Sequence, residues 1–110
     1  MEYSNLYEAN RIRQKEWDPG NLIDASYRGN ELAGEVGEAC NVIKKLERER
    51  LGIHGSRDTI EHLAQELADV IICVDLVAMH YGINIEKEIA LKFNQTTDKM
   101  GLKTRMVVPV

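Results

Sequence analysis

Apolar residues recur every three to four positions over most of this chain, and alternating apolar and polar runs are nearly absent. That pattern restricts it to helices. The clearest case is ADVIICVDLVAMH, Ala68 to His80, the longest apolar run. Its Val70-Ile71-Ile72 centre is β-branched, yet it lies inside a longer pattern of period 3.6. The run is too short to span a bilayer and is broken by Asp75.

Punctuation divides the chain into four helical segments. The first is expected from about Ser4, as N-cap, to about Trp17, where Asp18-Pro19-Gly20 stops it. A loop is expected through Asn30. The second helix then starts with Asn30 as N-cap and runs to about Arg50, with Gly52 in the left-handed position that ends it. After the loop IHGSR, Asp58 and Glu61 form a capping box for a third helix reaching about Tyr81. Gly82 closes it, Asn84 caps the fourth, and the fourth runs to about Asp98. The tail TRMVVPV reads as extended. The short connections favour antiparallel neighbours, so the expected architecture is an all-α antiparallel bundle of about four helices. At 110 residues the chain suits a single domain spanning 1–110. A core this small would gain from a second subunit.

Hydrophobic residues make up 44% of the chain, which argues against global disorder. Net charge is −4, from 14 basic and 18 acidic residues, so the basic stripe of a nucleic-acid or membrane-surface protein is missing. The polar N-terminal stretch MEYSNLYEANRIRQKEW does not read as a signal peptide. Cys40 and Cys73 have no metal spacing and sit in apolar helical runs. They read as buried free thiols of a cytoplasmic protein.

One stretch resists this simple picture. ELAGEVGEACN, Glu31 to Asn41, carries two glycines, each costing about 1 kcal/mol against alanine in a helix interior. It also crowds three acidic residues, and like charges one turn apart repel. On a helical wheel Glu35 and Asn41 each fall about 60° from Glu38, and Lys45 falls about 20° from it. These four make one polar stripe. Gly34 would relieve bulk beside that stripe, and Gly37 would admit a neighbouring helix. The third helix carries a second pair at the same spacing, Glu66 and Asp69, with His62 one turn earlier on their face. Asp75 lies on the opposite side. A single E-x-x-E is usually a solvated helix face. Here the second pair is embedded in the apolar LAQELADVIICV, and the two pairs sit on consecutive helices. Packed face to face, four carboxylates would repel and raise their own pKa values. A hard divalent cation such as Mg²⁺ or Mn²⁺ would resolve that conflict, because it takes oxygen ligands and retains sites for phosphate oxygens. A di-iron site would want Glu-x-x-His partners, which are missing.

The segments GEVGEACNVIKK and ELADVIICVDLVAMHYGINIEKEIALKFN resemble the MazG-like nucleoside triphosphate pyrophosphohydrolases of the all-α NTP pyrophosphatase superfamily. The likeness runs from about Glu31 to Lys103. Its E-x-x-E and E-x-x-D signature falls on Glu35, Glu38, Glu66 and Asp69. The resemblance implies that these four hold Mg²⁺, or Mn²⁺, and that Glu35 or Glu38 is the catalytic base. It implies cleavage of an NTP or dNTP to the monophosphate and pyrophosphate, in control of the nucleotide pool. Asn41, Lys45, Lys92 and Asn94 become candidate substrate contacts, with the last two in the downstream KFN. Trp17, Tyr27 and Phe93 are candidate stacking partners for a base. Some relatives carry an aromatic residue where this chain has Cys73. The resemblance further implies a homodimer or a dimer of dimers, and no nucleic-acid or membrane partner. The alternatives are a non-catalytic nucleotide-binding or regulatory bundle, and a metal-dependent phosphohydrolase acting on another phosphoanhydride.

Overall fold

The computed structural model describes residues 1–110 and is entirely helical, with four helices and no strand. They are α1 (Leu6–Trp17), α2 (Ala25–Leu51), α3 (Ile60–His80) and α4 (Ile85–Lys99). Each start is fixed by a side chain that accepts an otherwise unpaired backbone N–H. Asn5 accepts from Glu8 N–H, Asp24 from Tyr27, Thr59 from His62 and Asn84 from Lys87. Two caps therefore lie one residue after the positions expected, Asn5 for Ser4 and Thr59 for Asp58. Gly52 and Gly82 take left-handed φ values of 68°. In both cases the next residue reaches back across the helix end, Ile53 N–H to the Arg48 carbonyl and Ile83 N–H to the Ala78 carbonyl.

The start of α2 corrects the sequence expectation. The helix begins at Ala25, and Asn30 lies inside it, donating from Nδ2 to the Ser26 carbonyl at 2.9 Å. The reason lies in the preceding turn. Asp18 accepts from the backbone N–H groups of Leu22 and Ile23 at 2.9 and 2.8 Å, which shapes the Pro19-Gly20 turn. The chain then reaches Asp24 extended and ready to cap. Those same two bonds hold the Asp18 carboxyl below its usual range. The earlier start carries Tyr27 and Arg28 onto the helix.

The pairing of α2 with α3 is the principal interface. Arg48 meets Ser56, Lys45 faces Asp58, Glu38 clusters with Glu66, and Glu35 senses Asp69. One index falls as the other rises, so the pair is antiparallel, as expected. Ala39 and Val42 of α2 and Cys73 and Ala78 of α3 are among the few fully buried apolar residues, and all are small. The glycine expectation is not met within the chain. A Cβ at Gly34 or Gly37 would meet nothing within 4 Å. Neither admits a neighbouring helix, and both lie on an open strip of α2.

Helix α1 is pinned to α3 by buried polar groups. Asp75, only 1% exposed, accepts from Asn10 Nδ2 at 2.8 Å and from Arg11 Nη1 at 3.0 Å. Asn10 also donates to the Ile72 carbonyl at 3.3 Å. The Arg11 guanidinium stacks 3.4 Å from the centre of the Tyr7 ring and donates to the Tyr7 carbonyl. This gives Asp75, unassigned from sequence, an anchoring role.

Helix α4 departs from antiparallel stacking, crossing α3 at 103°. The C-terminal tail has no regular secondary structure and lies along α4. Asn94 grips the backbone of Met106 in both directions, at 2.9 and 2.8 Å, and Thr97 donates to the Thr104 carbonyl at 2.6 Å. No single helix is long and apolar enough to cross a membrane.

Removing the Asp75 carboxylate would leave Asn10 and a half-buried Arg11 without their partner. Asp75→Ala is expected to destabilise the fold by about 3 kcal/mol, read by denaturant unfolding. A change within experimental error would show that α1 is held by other contacts.

Candidate active site

Antiparallel packing brings the two carboxylate pairs to one level of the α2/α3 interface. Oxygen atoms of Glu35, Glu38 and Glu66 all lie within 4.8 Å of one another. Asp69 stands next to this triad. It is exposed, and its charge acts on Glu35. Glu38 is exposed, whereas Glu35 and Glu66 are half-buried. Oε2 of Glu35 and Oε2 of Glu66 are sealed from solvent without a hydrogen-bond partner. Burial raises the Glu35 pKa, and the neighbouring charges of Glu38, Asp69 and Glu66 raise it further.

Buried carboxylate oxygens ordinarily have partners, because leaving one unpaired costs about 1–3 kcal/mol. Two such atoms in one anionic cluster fit a bound hard cation. The three converging donors are carboxylate oxygens, which suits Mg²⁺ or Mn²⁺. The nearest thiol, Cys73, sits one turn beyond Asp69. Burial and the charges of Glu31, Glu35 and Asp69 push it up to about 11, so it remains a protonated, neutral wall.

His62 bridges two carboxylates, Asp58 just before the N-cap of α3 and Glu66 one turn further along the helix. Its Nδ1 lies 2.7 Å from Asp58 Oδ1 and its Nε2 lies 2.9 Å from Glu66 Oε1. The hydrogen bond to Asp58 is the largest influence raising the imidazole pKa, with burial opposing it and Glu66 adding to it. Asp58 is held low, first by the Thr59 N–H and then by His62, with a smaller share from Lys45.

Beside the cluster a cavity of about 220 Å³ opens between α1, the following turn and the α2/α3 pair. Glu35 and Asp69 form its wall toward the cluster. Trp17 and Tyr27, both substantially exposed, lie at its rim, and Asn10 and the buried Arg28 line it. Arg28 donates to Glu31 at 3.2 Å. Sequence reasoning missed Arg28 and Asn10. Arg28 falls in the stretch expected as a loop, and Asn10 has no local signature.

The remaining expected residues divide. Asn41 is exposed on α2, and Lys45 is half-buried near Asp58. Lys92 is on α4, bonded to Gln95 at 3.0 Å, and shares with Phe93 a separate groove against Leu102. Phe93 is therefore not at the cavity. Asn94, expected at a substrate, holds the tail: its Nδ2 donates to the Met106 carbonyl and its Oδ1 accepts from the Met106 N–H. Cys73 is buried as expected, but Cys40 is exposed.

A helical protein with clustered carboxylates between two antiparallel helices, next to an aromatic-rimmed cavity, has the makings of a metal-dependent phosphate-ester or anhydride enzyme. Residues 27–105 match the model of the MazG nucleotide pyrophosphohydrolase domain, and the chain belongs to that family. Members depend on metal in general, in keeping with the acidic cluster. No curated protein and no solved structure matches the chain.

The raised pKa of Glu35 sets a pH dependence. In the metal-free protein it contributes stability below its ordinary value, and that contribution is lost as pH rises through the raised value. A bound cation favours the ionised form and reverses the preference. The gain in melting temperature from saturating Mg²⁺ should therefore grow as pH rises from the acid end of the carboxylate range through the raised Glu35 value. Thermal unfolding across pH tests this, and a gain that is constant or larger in acid would refute it.

Proposed function

We propose that the protein is a Mg²⁺-dependent nucleoside triphosphate pyrophosphohydrolase. It cleaves an NTP or dNTP between the α and β phosphates to release the monophosphate and pyrophosphate. The observation that carries this reading is the convergence of Glu35, Glu38 and Glu66 with two buried, unpartnered oxygens, beside a cavity with aromatic side chains at its rim.

Glu35, Glu38, Glu66 and Asp69 would hold the cation, Mg²⁺ first and Mn²⁺ as a substitute. When bound, it offsets phosphate charge and acidifies an attacking water. The nucleoside end of the substrate lies in the cavity, with Trp17 or Tyr27 against the base. The triphosphate extends over the exposed side of α2, where Asn41 and Lys45 are available. Glu38 is the member of the triad most open to solvent. We assign it the proton of the attacking water, in preference to the half-buried Glu35. The water oxygen bonds to the α phosphorus, the bridge to the β phosphate breaks, and pyrophosphate departs.

Glu38→Gln keeps the side-chain volume and the open position. It should leave the thermal midpoint nearly unchanged and lower pyrophosphate release at least 100-fold. The assay is a panel of NTPs and dNTPs with Mg²⁺, analysed for products. Orthophosphate in place of pyrophosphate would move the chain to another phosphohydrolase chemistry. No Mg²⁺-dependent turnover of any nucleotide would leave a binding or regulatory bundle.

The same proposal includes self-association as a homodimer or a dimer of dimers. The radius of gyration is 17.4 Å, against about 13 Å for a compact chain of this length. Ile60, Leu67 and Ile71 on α3 and Ile89, Leu91 and Phe93 on α4 are each more than 40% exposed. Lys92 belongs to this protruding α4, so any role at a substrate depends on how copies assemble. Light scattering at micromolar concentration should give at least twice the chain mass, and a monomer would overturn the association.

A further inference from the structure

Glu66 is the triad member with its two oxygens in different circumstances. Oε1 lies 2.9 Å from His62 Nε2, while Oε2 is sealed and unpartnered. The ring that touches Oε1 is itself fixed from the other side, by Asp58 Oδ1 at 2.7 Å from Nδ1. Asp58 is fixed in turn by the Thr59 N–H at 2.8 Å, and the His62 main chain is fixed by Thr59 Oγ1 at 3.1 Å. Asp58, His62 and Glu66 are spaced four apart, so the contacts climb two turns of α3 from its capped start to the cluster. The side chains of Asp58 and Glu66 are 11% and 13% exposed, against 45% for His62.

This arrangement answers a mechanical problem. Glu66 faces Glu35 and Glu38, and their like charge favours rotation of its flexible side chain away from them. A donor on Oε1 resists that rotation and leaves Oε2 as a donor atom for a cation. We infer that His62 is a positioning residue, which holds the Glu66 carboxylate in the cluster while Asp58 fixes the orientation of the imidazole. The inference rests on the cation reading of the cluster. A histidine acting only through its charge would have the opposite effect, because a cationic ring repels a divalent ion and its removal would tighten binding.

The test is Mn²⁺ affinity of the whole chain without nucleotide, by electron paramagnetic resonance of the free ion. Circular dichroism and thermal midpoints verify folding. Glu66→Gln should lose most of the affinity. His62→Ala should weaken it by about 10- to 100-fold, the range for a residue that orients a metal ligand. Two further variants divide the ring's contacts. A glutamine amide can replace Nε2 on Glu66, whereas an asparagine amide can replace Nδ1 on Asp58 but is too short for Glu66. His62→Gln should therefore recover most of the affinity, and His62→Asn should behave like His62→Ala. Wild-type affinity in both His62→Ala and His62→Asn, with Glu66→Gln still defective, would overturn the positioning role alone. Tighter binding in His62→Ala would overturn it in favour of simple charge repulsion. A wild-type chain that takes up no Mn²⁺ would remove the cation reading and the role of His62 with it.

Discussion

Like-charge repulsion between α2 and α3 is the constraint around which the rest of this structure is arranged. Three glutamates converge where two helices must stay packed, and the chain places no cation among them. Arg28 is spent on Glu31, and Lys45 acts on Asp58. The packing that holds the helices together is correspondingly fine-grained, with alanine, valine and cysteine side chains permitting close contact. On α3 the opposing duties are separated by helix geometry. Glu66 and Asp69 look toward the cluster, and Asp75, about half a turn of the wheel away, anchors α1. The anchor satisfies every buried group it uses, whereas the cluster leaves two oxygens unpartnered. Such selective incompleteness is what separates a ligand site from a structural polar network.

What could be read from the sequence was whatever is encoded locally. Helix ends are set by residues in contact with their own backbone neighbours, so Gly52, Gly82 and Asn84 were legible. The two E-x-x-E/D pairs were legible because i, i+3 spacing fixes a shared face whatever the helix later packs against. The start of α2 was not. Asn30 is a good cap in isolation, but the Asp18 turn delivers the chain to an earlier one. The buried Arg28 at the cavity was lost with that stretch, although Tyr27 beside it was legible as a candidate stacking partner. Asn94 shows the same limit from another side. A helix-end asparagine beside a lysine suggests a ligand contact, and only the return of the tail twelve residues later reveals its backbone partner.

The glycines of α2 change meaning for the same reason. Their helix penalty is an intrinsic property, evident in the sequence, but the neighbour that might justify it is not. Within the chain that neighbour is missing, since Cβ atoms at Gly34 and Gly37 would project into open space. The open strip continues through Glu38 and Asn41, both exposed. A helix that accepts two unfavourable residues beside a carboxylate triad, with nothing of its own packed on them, keeps a smooth, open surface next to the cluster.

Helix α4 extends that reasoning to the whole chain. It leaves α3 at a wide angle and carries apolar residues that no other helix covers, yet its ends and its attached tail are well specified by hydrogen bonds. A merely frayed segment would lack such caps and clamps. Order without burial means that the energy fixing α4 comes from its own backbone and the Asn94 grip, while its apolar face remains unpaired. Burying that face on a second copy would recover about 25 cal/mol for each Å² of apolar surface removed from water. The large radius of gyration, the exposed stripe of Ile60, Leu67 and Ile71, and the protruding α4 are the features from which the proposed association is argued. The carboxylate cluster, by contrast, is built from α2 and α3 alone, so it and the uncovered apolar face of α4 occupy different parts of the same short chain.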